Sequence, residues 1–201
     1  HHFVSSGMVN RSITSTLLSA LGDSPVVLLS GARQVGKSTL VKWISENDHP
    51  ARYLTLDDAA VLSAIHLDPA GFLSGYDKPL IIDEVQRAPE LFREIKQDID
   101  IKRKAGQYLL TGSANVLLLP KLSESLAGRM ETLSLHPFSQ SELEKTEGSL
   151  IDAAFASRPF SFSRKSVTQA DTLQRILRGG FPEAQQRPAL ERRNAWFGSY
   201  V

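Results

Sequence analysis

Apolar positions along the chain switch between two periods. Ile13, Leu17, Leu18 and Leu21 recur at helical spacing and predict a helix over 11–21 that stops at Gly22. Residues 25–30 (Pro-Val-Val-Leu-Leu-Ser) form a short apolar run of strand length. The pattern turns helical over 37–47, then alternates as a strand over 52–56 and ends in Asp57-Asp58. A helix fits 59–66, and 68–78, with Pro69, Gly71 and Gly75, reads as loop. Leu80-Ile81-Ile82 is a buried-strand run that ends in Asp83-Glu84. Leu91, Ile95 and Ile99 mark one face of a charged helix over 90–104. Strands follow at 107–110 and 130–135.

Strands therefore alternate with helices from about residue 24 to 137. That order predicts right-handed βαβ units and a parallel sheet covered by helices. After Pro137 the texture becomes polar and irregular. A short helix is expected over 171–178, broken by Gly179-Gly180-Phe181-Pro182, a structural turn between domains. The last stretch, 189–201, is helical in pattern and carries Trp196, Phe197 and Tyr200. The expected organisation is an affinity-tag remnant at 1–7, a main domain over 8–140, an irregular connection over 141–170, and the beginning of a truncated C-terminal domain over 171–201.

The chemistry gathers where strands end. Gly31-Ala32-Arg33-Gln34-Val35-Gly36-Lys37-Ser38 matches G-x-x-x-x-G-K-[ST], after a strand and at the start of a helix. Such a loop turns its backbone N–H groups around phosphate oxygens, and the helix N-terminus adds more donors and a favourable dipole. Lys37 is expected to reach the β- and γ-phosphates and Ser38 to hold Mg²⁺, with Thr39 completing the binding stretch. Asp83, at a strand end, is the second candidate Mg²⁺ ligand. Glu84 is the candidate general base for the attacking water. The strand at 107–110 runs into small polar residues. Ser113 is the chosen contact for the γ-phosphate or the lytic water, with Thr111 and Asn115 as alternatives.

Composition narrows the classes. The 201 residues include no cysteine, which removes disulfides, Cys-ligated zinc, iron–sulfur ligation by Cys and thiol catalysis, and fits a cytoplasmic setting. Twenty-three Lys+Arg against 22 Asp+Glu leave a net charge of +1, so charge does not indicate a nucleic-acid partner. Lys102-Arg103-Lys104 reads as a solvated helix end. No apolar run has the ~18–20 residues a spanning helix needs. Five His, two of them in the tag-like start, offer no pair at zinc spacing. A guanine-reading N-K-x-D and an L-S-G-G-Q signature are both absent, which disfavours a GTPase and a transporter ATPase.

The sequence resembles the P-loop ATPases of the additional-strand, catalytic-glutamate division, near the AAA+ and STAND-like groups. More narrowly it is similar to ATP-binding proteins that join an AAA domain to a DUF4143 region. The residues that carry this are 31–38, 80–86, 110–113, Leu126-Ala127-Gly128-Arg129, Leu135-His136-Pro137-Phe138-Ser139 and Gly179-Gly180-Phe181-Pro182-Glu183. The resemblance implies an α/β P-loop NTPase fold with a five-stranded parallel sheet flanked by helices, in which the strand at 107–110 lies between the acidic strand and the phosphate-loop strand. It also implies the start of a small helical C-terminal region. Arg129 corresponds to an arginine that related ATPases use on γ-phosphate charge, within one chain or across to a neighbour; a structural ion pair is the alternative. The implied activity is Mg²⁺-dependent ATP hydrolysis coupled to movement of the C-terminal region. The alternatives are a nucleotide-gated switch with negligible turnover and a nucleic-acid-associated motor, the latter suggested by Asp83-Glu84-Val85-Gln86. ATP and Mg²⁺ are the expected ligands, a protein partner is expected without an identity, and the oligomeric state is open.

Overall fold

The structure, a computed structural model, describes residues 9–113, 115–116, 126–146, 155 and 167–200. The tag-like residues 1–7, much of the expected connection 141–170 and Val201 lie outside the described residues. Two compact units result: one spans Ser12–His136, and the other combines the N-terminal residues through Arg11 with Pro137–Val201.

The larger unit runs α1 (Thr14–Asp23), β1 (Val26–Gly31), α2 (Lys37–Asn47), β2 (Arg52–Thr55), α3 (Ala59–Leu67), α4 (Pro69–Ser74), β3 (Leu80–Asp83), a single 3₁₀ turn at Val85–Arg87, α5 (Leu91–Ile101), β4 (Tyr108–Ser113) and β5 (Met130–Ser134). All pairings are parallel and the order is β2-β3-β4-β1-β5. The expected five-stranded sheet is present, with β4 between the acidic strand and the loop strand.

Continuous apolar strands are what a sheet covered on both faces requires. Val26, Leu28, Leu80, Ile82, Tyr108 and Leu110 join one core with Ile65 of α3, Leu73 of α4, and Leu91, Phe92, Ile95 and Ile99 of α5. Val27, Leu29, Ile81 and Leu109 alternate with them onto the other face and are equally buried. Helices α1 and α2, whose buried residues lie outside that core, contact the strands as well.

Register then collects the site. With every strand parallel, Gly31, Thr55, Asp83 and Ser113 end at the same edge, and Gly31 lies opposite Ser113 while Thr55 lies opposite Asp83.

Three expectations are corrected. The stretch 68–78 contains α4: the Asp68 carboxylate accepts from Gly71 N–H at 2.9 Å and Pro69 opens the helix, so a loop-like composition is a helix start. Strand β4 continues through Thr111-Gly112-Ser113, because β1 keeps pairing with it to Ser113. The polar stretch after 137 contains α6 (Gln140–Glu144), started by a reciprocal Ser139–Glu142 capping box.

The smaller unit also contains α7 (Gln169–Arg178), α8 (Pro182–Gln185) and α9 (Leu190–Tyr200). Phe181, Trp196 and Tyr200 pack as an aromatic cluster, with centroids 5.0–5.5 Å apart. Arg11 sits over the Phe138 ring and pairs with Glu142 at 3.3 Å. Gly180 accepts the Phe138 N–H at 2.7 Å, so the Gly179–Pro182 element is a structural turn inside this unit. Among the described residues no helix is long and apolar enough to cross a membrane.

Replacing Phe92 by Ala removes a fully buried ring from the α5–sheet core. A loss of about 3–5 kcal/mol is expected, read from the midpoint of urea unfolding.

Candidate functional site

The loop between β1 and α2 reverses the chain with two left-handed residues, Gln34 at φ 62° and Gly36 at φ 98°. Gly36 caps α2 in that conformation, which glycine adopts without a Cβ penalty. Three non-glycine residues have positive φ among the described residues, and two of them, Gln34 and Glu84, lie at this edge. Strained backbone of this kind persists only where its surroundings hold it.

Lys37 opens α2 with its side chain 4% exposed. Its ammonium donates to the carbonyls of Gly31 at 3.0 Å and Ala32 at 2.9 Å, so it lies against the loop it follows. Burial lowers its pKa; the negative charges of Glu84 and Asp83 oppose that shift, and Arg33 adds to it. Val35 is buried, whereas Arg33, Gln34 and Thr39 are exposed and Ala32 and Ser38 are half-buried.

Asp83 is 3% exposed, and both of its carboxylate oxygens accept from hydroxyls. Tyr53 on β2 donates to Oδ2 at 2.6 Å. Thr111 on β4 donates to Oδ1. The same Thr111 oxygen accepts the Glu84 N–H at 3.1 Å. The β3–β4 ladder ends at Ile82–Leu110, and this hydroxyl takes over where it stops. Glu84 then turns into the left-handed region at φ 61°, ψ 45° and starts the 3₁₀ turn. Its carboxylate accepts a hydrogen bond from the Gln86 amide. Arg87 of the same turn pairs with Asp57 in the loop after β2.

Burial, then the bond to Asp83, pushes the Tyr53 phenol well above its ordinary pKa and keeps it protonated as a donor. Ser38 and Thr55 also interact with that phenol. Lys42 lies over the Tyr53 ring, 4.6 Å from its centre. Ser38 and Asp83 therefore share one neighbour, and both are hard oxygen donors of the kind Mg²⁺ takes. Among the described residues no three His, Asp or Glu side chains converge as an all-protein metal site would need. A Mg²⁺ that keeps water and phosphate as further ligands fits this donor set.

Ser113 ends β4 beside the start of the loop, opposite Gly31. Asn115 lies in an exposed position just beyond. Arg129 is not brought to this edge. It precedes Met130, which pairs with Val26 at the start of β1, so five residues of strand, roughly 17 Å, separate it from the loop. Its guanidinium forms a bidentate pair with Asp100 of α5, at 2.7 and 3.1 Å. That pair holds the Asp100 carboxyl below its ordinary range. The structure corrects the expectation that Arg129 reaches phosphate on its own chain, because parallel strands put β5's start at the far edge.

Sequence reasoning ranked Thr111 below Ser113 and missed Tyr53 and Gln86 as parts of the site. Gln86 carried a signal, since it stands in the same Asp-Glu-x-Gln run. Nothing in the alternation of residues 52–56 marked Tyr53.

Thr111→Val keeps the shape but strands the Glu84 N–H and one Asp83 oxygen. At about 1–3 kcal/mol for each buried group left unpaired, a loss of about 2–6 kcal/mol is expected in urea unfolding, with Thr111→Ser recovering most of it. Tyr53→Phe orphans one oxygen only and is expected to cost about half as much.

Comparison with known proteins bears on the fold and the family. The chain is 39% identical over 126 residues to an uncharacterized protein of Mycobacterium bovis and to one of Mycobacterium tuberculosis. That stretch is 62% of this chain and 28% of each relative, so the chain spans under a third of the length of these curated relatives. Among solved structures, a Walker-type ATPase of Pyrococcus abyssi has a similar fold, with a TM-score of 0.53 at 17% identity over 94% of this chain and 71% of that one. AMPPCP-bound DnaA of Aquifex aeolicus gives 0.51 at 16% identity, over 98% of this chain and 62% of that one. Residues 23–144, more than half of the chain, match the AAA domain, and they contain the loop, the acidic strand end and the whole five-stranded sheet. The chain belongs to the AAA domain family.

Proposed function

We propose that this chain binds Mg²⁺-ATP at the carboxyl edge of its sheet and hydrolyses it, coupling the nucleotide state to movement of a DUF4143-type C-terminal region in the cytoplasm. The observation that supports the reading is that a phosphate-type loop, with Lys37 against its Gly31 and Ala32 carbonyls, starts at the same sheet edge at which Asp83 ends its strand. Gly31–Thr39 bind the phosphates, the loop amides and Lys37 supplying donors and positive charge. Ser38 and Asp83 hold Mg²⁺, which would neutralise phosphate charge when bound. Tyr53 and Thr111 orient Asp83 by donating to its two oxygens. Glu84 accepts a proton from the attacking water, and Ser113 contacts the γ-phosphate or that water. Arg129 is a structural ion pair within the chain.

A second reading, a nucleotide-gated switch with negligible turnover, is favoured by one observation. The Glu84 carboxylate is engaged by Gln86, which competes with water for it. The protein that reads the nucleotide state is a partner of unassigned chemistry under either reading.

Phosphate release with Mg²⁺-ATP separates the two. Lys37→Ala is expected to abolish nucleotide binding. Glu84→Gln is expected to keep binding and slow release by about 10²–10⁴-fold, the range for losing a general base. Equal rates for Glu84→Gln and the unaltered chain would remove Glu84 as base. Tight binding without turnover in the unaltered chain would select the switch.

A further inference from the structure

Gln86 is a side chain at the site whose chemistry the proposed hydrolysis leaves unused. Its Nε2 donates to Glu84 Oε2. Its Oε1 is buried and has no hydrogen-bond partner. Such a group is uncommon in a folded interior and asks for a reason. Packing alone would be met by an apolar residue of the same length, without the desolvated oxygen.

The oxygen lies beside Gly112 of β4. A Cβ placed on Gly112 would come within 3.0 Å of Gln86 Oε1, and within 2.9 Å of Val116 Cβ. The amide is therefore held between the Glu84 carboxylate and the backbone of Gly112. A reversed amide would set its oxygen against the carboxylate. Glu84 is thus held twice by neighbouring residues of one strand: its N–H by Thr111, and its carboxylate by an amide backed against Gly112. The next residue, Ser113, stands opposite Gly31 where the loop begins.

From this contact chain we infer that Gln86 is a positioning residue, whose amide aims the Glu84 carboxylate and passes displacements of the β4 end at Gly112–Ser113 on to it. The inference rests on the reading of Glu84 as base. The donated N–H occupies one carboxylate oxygen and limits the rotation of the side chain, leaving Oε1 of Glu84 to face the reacting water. Small errors in such geometry are costly, since about 1 Å of misplacement can lose roughly 10²-fold in rate.

A double-mutant cycle tests it on this chain. Gln86→Met removes the donor and keeps the length; Gln86→Leu replaces it if the first does not fold, as judged by thermal melting. The expected result is a kcat lower by about 10–100-fold, with the ATP dissociation constant within about 2-fold. In a Glu84→Gln background the same change is expected to alter the residual rate by less than about 2-fold, because its route of action is gone. Gly112→Ala, whose Cβ would press on both Val116 and the amide, is expected to lower kcat in the unaltered chain. An unchanged kcat for Gln86→Met, equal fractional losses in both Glu84 backgrounds, or a weaker dissociation constant that accounts for the loss would each overturn the inference.

A readout without turnover keeps the contact separable from the proposed hydrolysis. In ¹⁵N-labelled protein, the Gln86 side-chain amide is the signal pair missing from Gln86→Met. It is expected to shift in Glu84→Ala and in Gly112→Ala. If neither variant moves it, the positioning role is wrong whatever the rate. If it shifts while the unaltered chain releases no phosphate, hydrolysis fails and the coupling of Gly112 to Glu84 stands.

Discussion

One hydroxyl joins the two acids of this site. Where the β3–β4 ladder stops, Thr111 donates to Asp83 and accepts from the Glu84 backbone. Strand ends in a sheet lose their backbone partners, and buried polar groups there must find others. Thr111, fully buried, meets that demand for two residues at once. It also fixes the geometry that follows, since Glu84, whose N–H donates to this anchor, turns left-handed there and carries Gln86 and Arg87 with it. The side chains that bear charge are thus placed by the exhaustion of a hydrogen-bond ladder.

A parallel sheet makes that placement productive. All five strands deliver their carboxyl ends to one edge, so residues far apart in sequence meet without long loops. Lys37 lies against the Gly31 and Ala32 carbonyls at that edge, and the charges of Glu84 and Asp83 oppose the lowering of its pKa by burial. The same rule sends Arg129 away. It lies before β5 and so belongs to the opposite edge, where Asp100 satisfies it. A motif match places a residue near others in sequence; strand direction decides at which end of the sheet it stands.

Much of the fold was legible because apolar period and chain reversals are local signals. Helix α2 begins and ends at the residues its pattern indicated, Lys37 and Asn47. The strand cores at 26–30, 52–55, 80–82 and 130–134 were visible as apolar or alternating runs. Failures came where local chemistry and composition disagreed. Helix α4 hides in a Gly- and Pro-containing stretch because one Asp68 side chain caps it. Helix α6 is a five-residue turn set by a capping box within polar surroundings. The end of β4 looked like a turn because Gly and Ser are poor strand formers, yet β1 supplies partners out to Ser113.

By itself the sequence determined the candidate chemistry and its order along the chain: a phosphate-type loop, an acidic strand end, a small polar strand end and the alternation that makes a parallel sheet. These are short-range properties, written in residues that touch or nearly touch along the backbone. Only the tertiary structure decided which side chains hold the reactive ones. Tyr53 reaches Asp83 from thirty residues away and Thr111 from twenty-eight, through strand neighbours that no local pattern names. It likewise decided that Arg129 is an ion pair with Asp100, twenty-nine residues apart. The physical reason is that hydrogen bonds and ion pairs require contact in space, and sheet order and register, which sum over the whole chain, set those contacts.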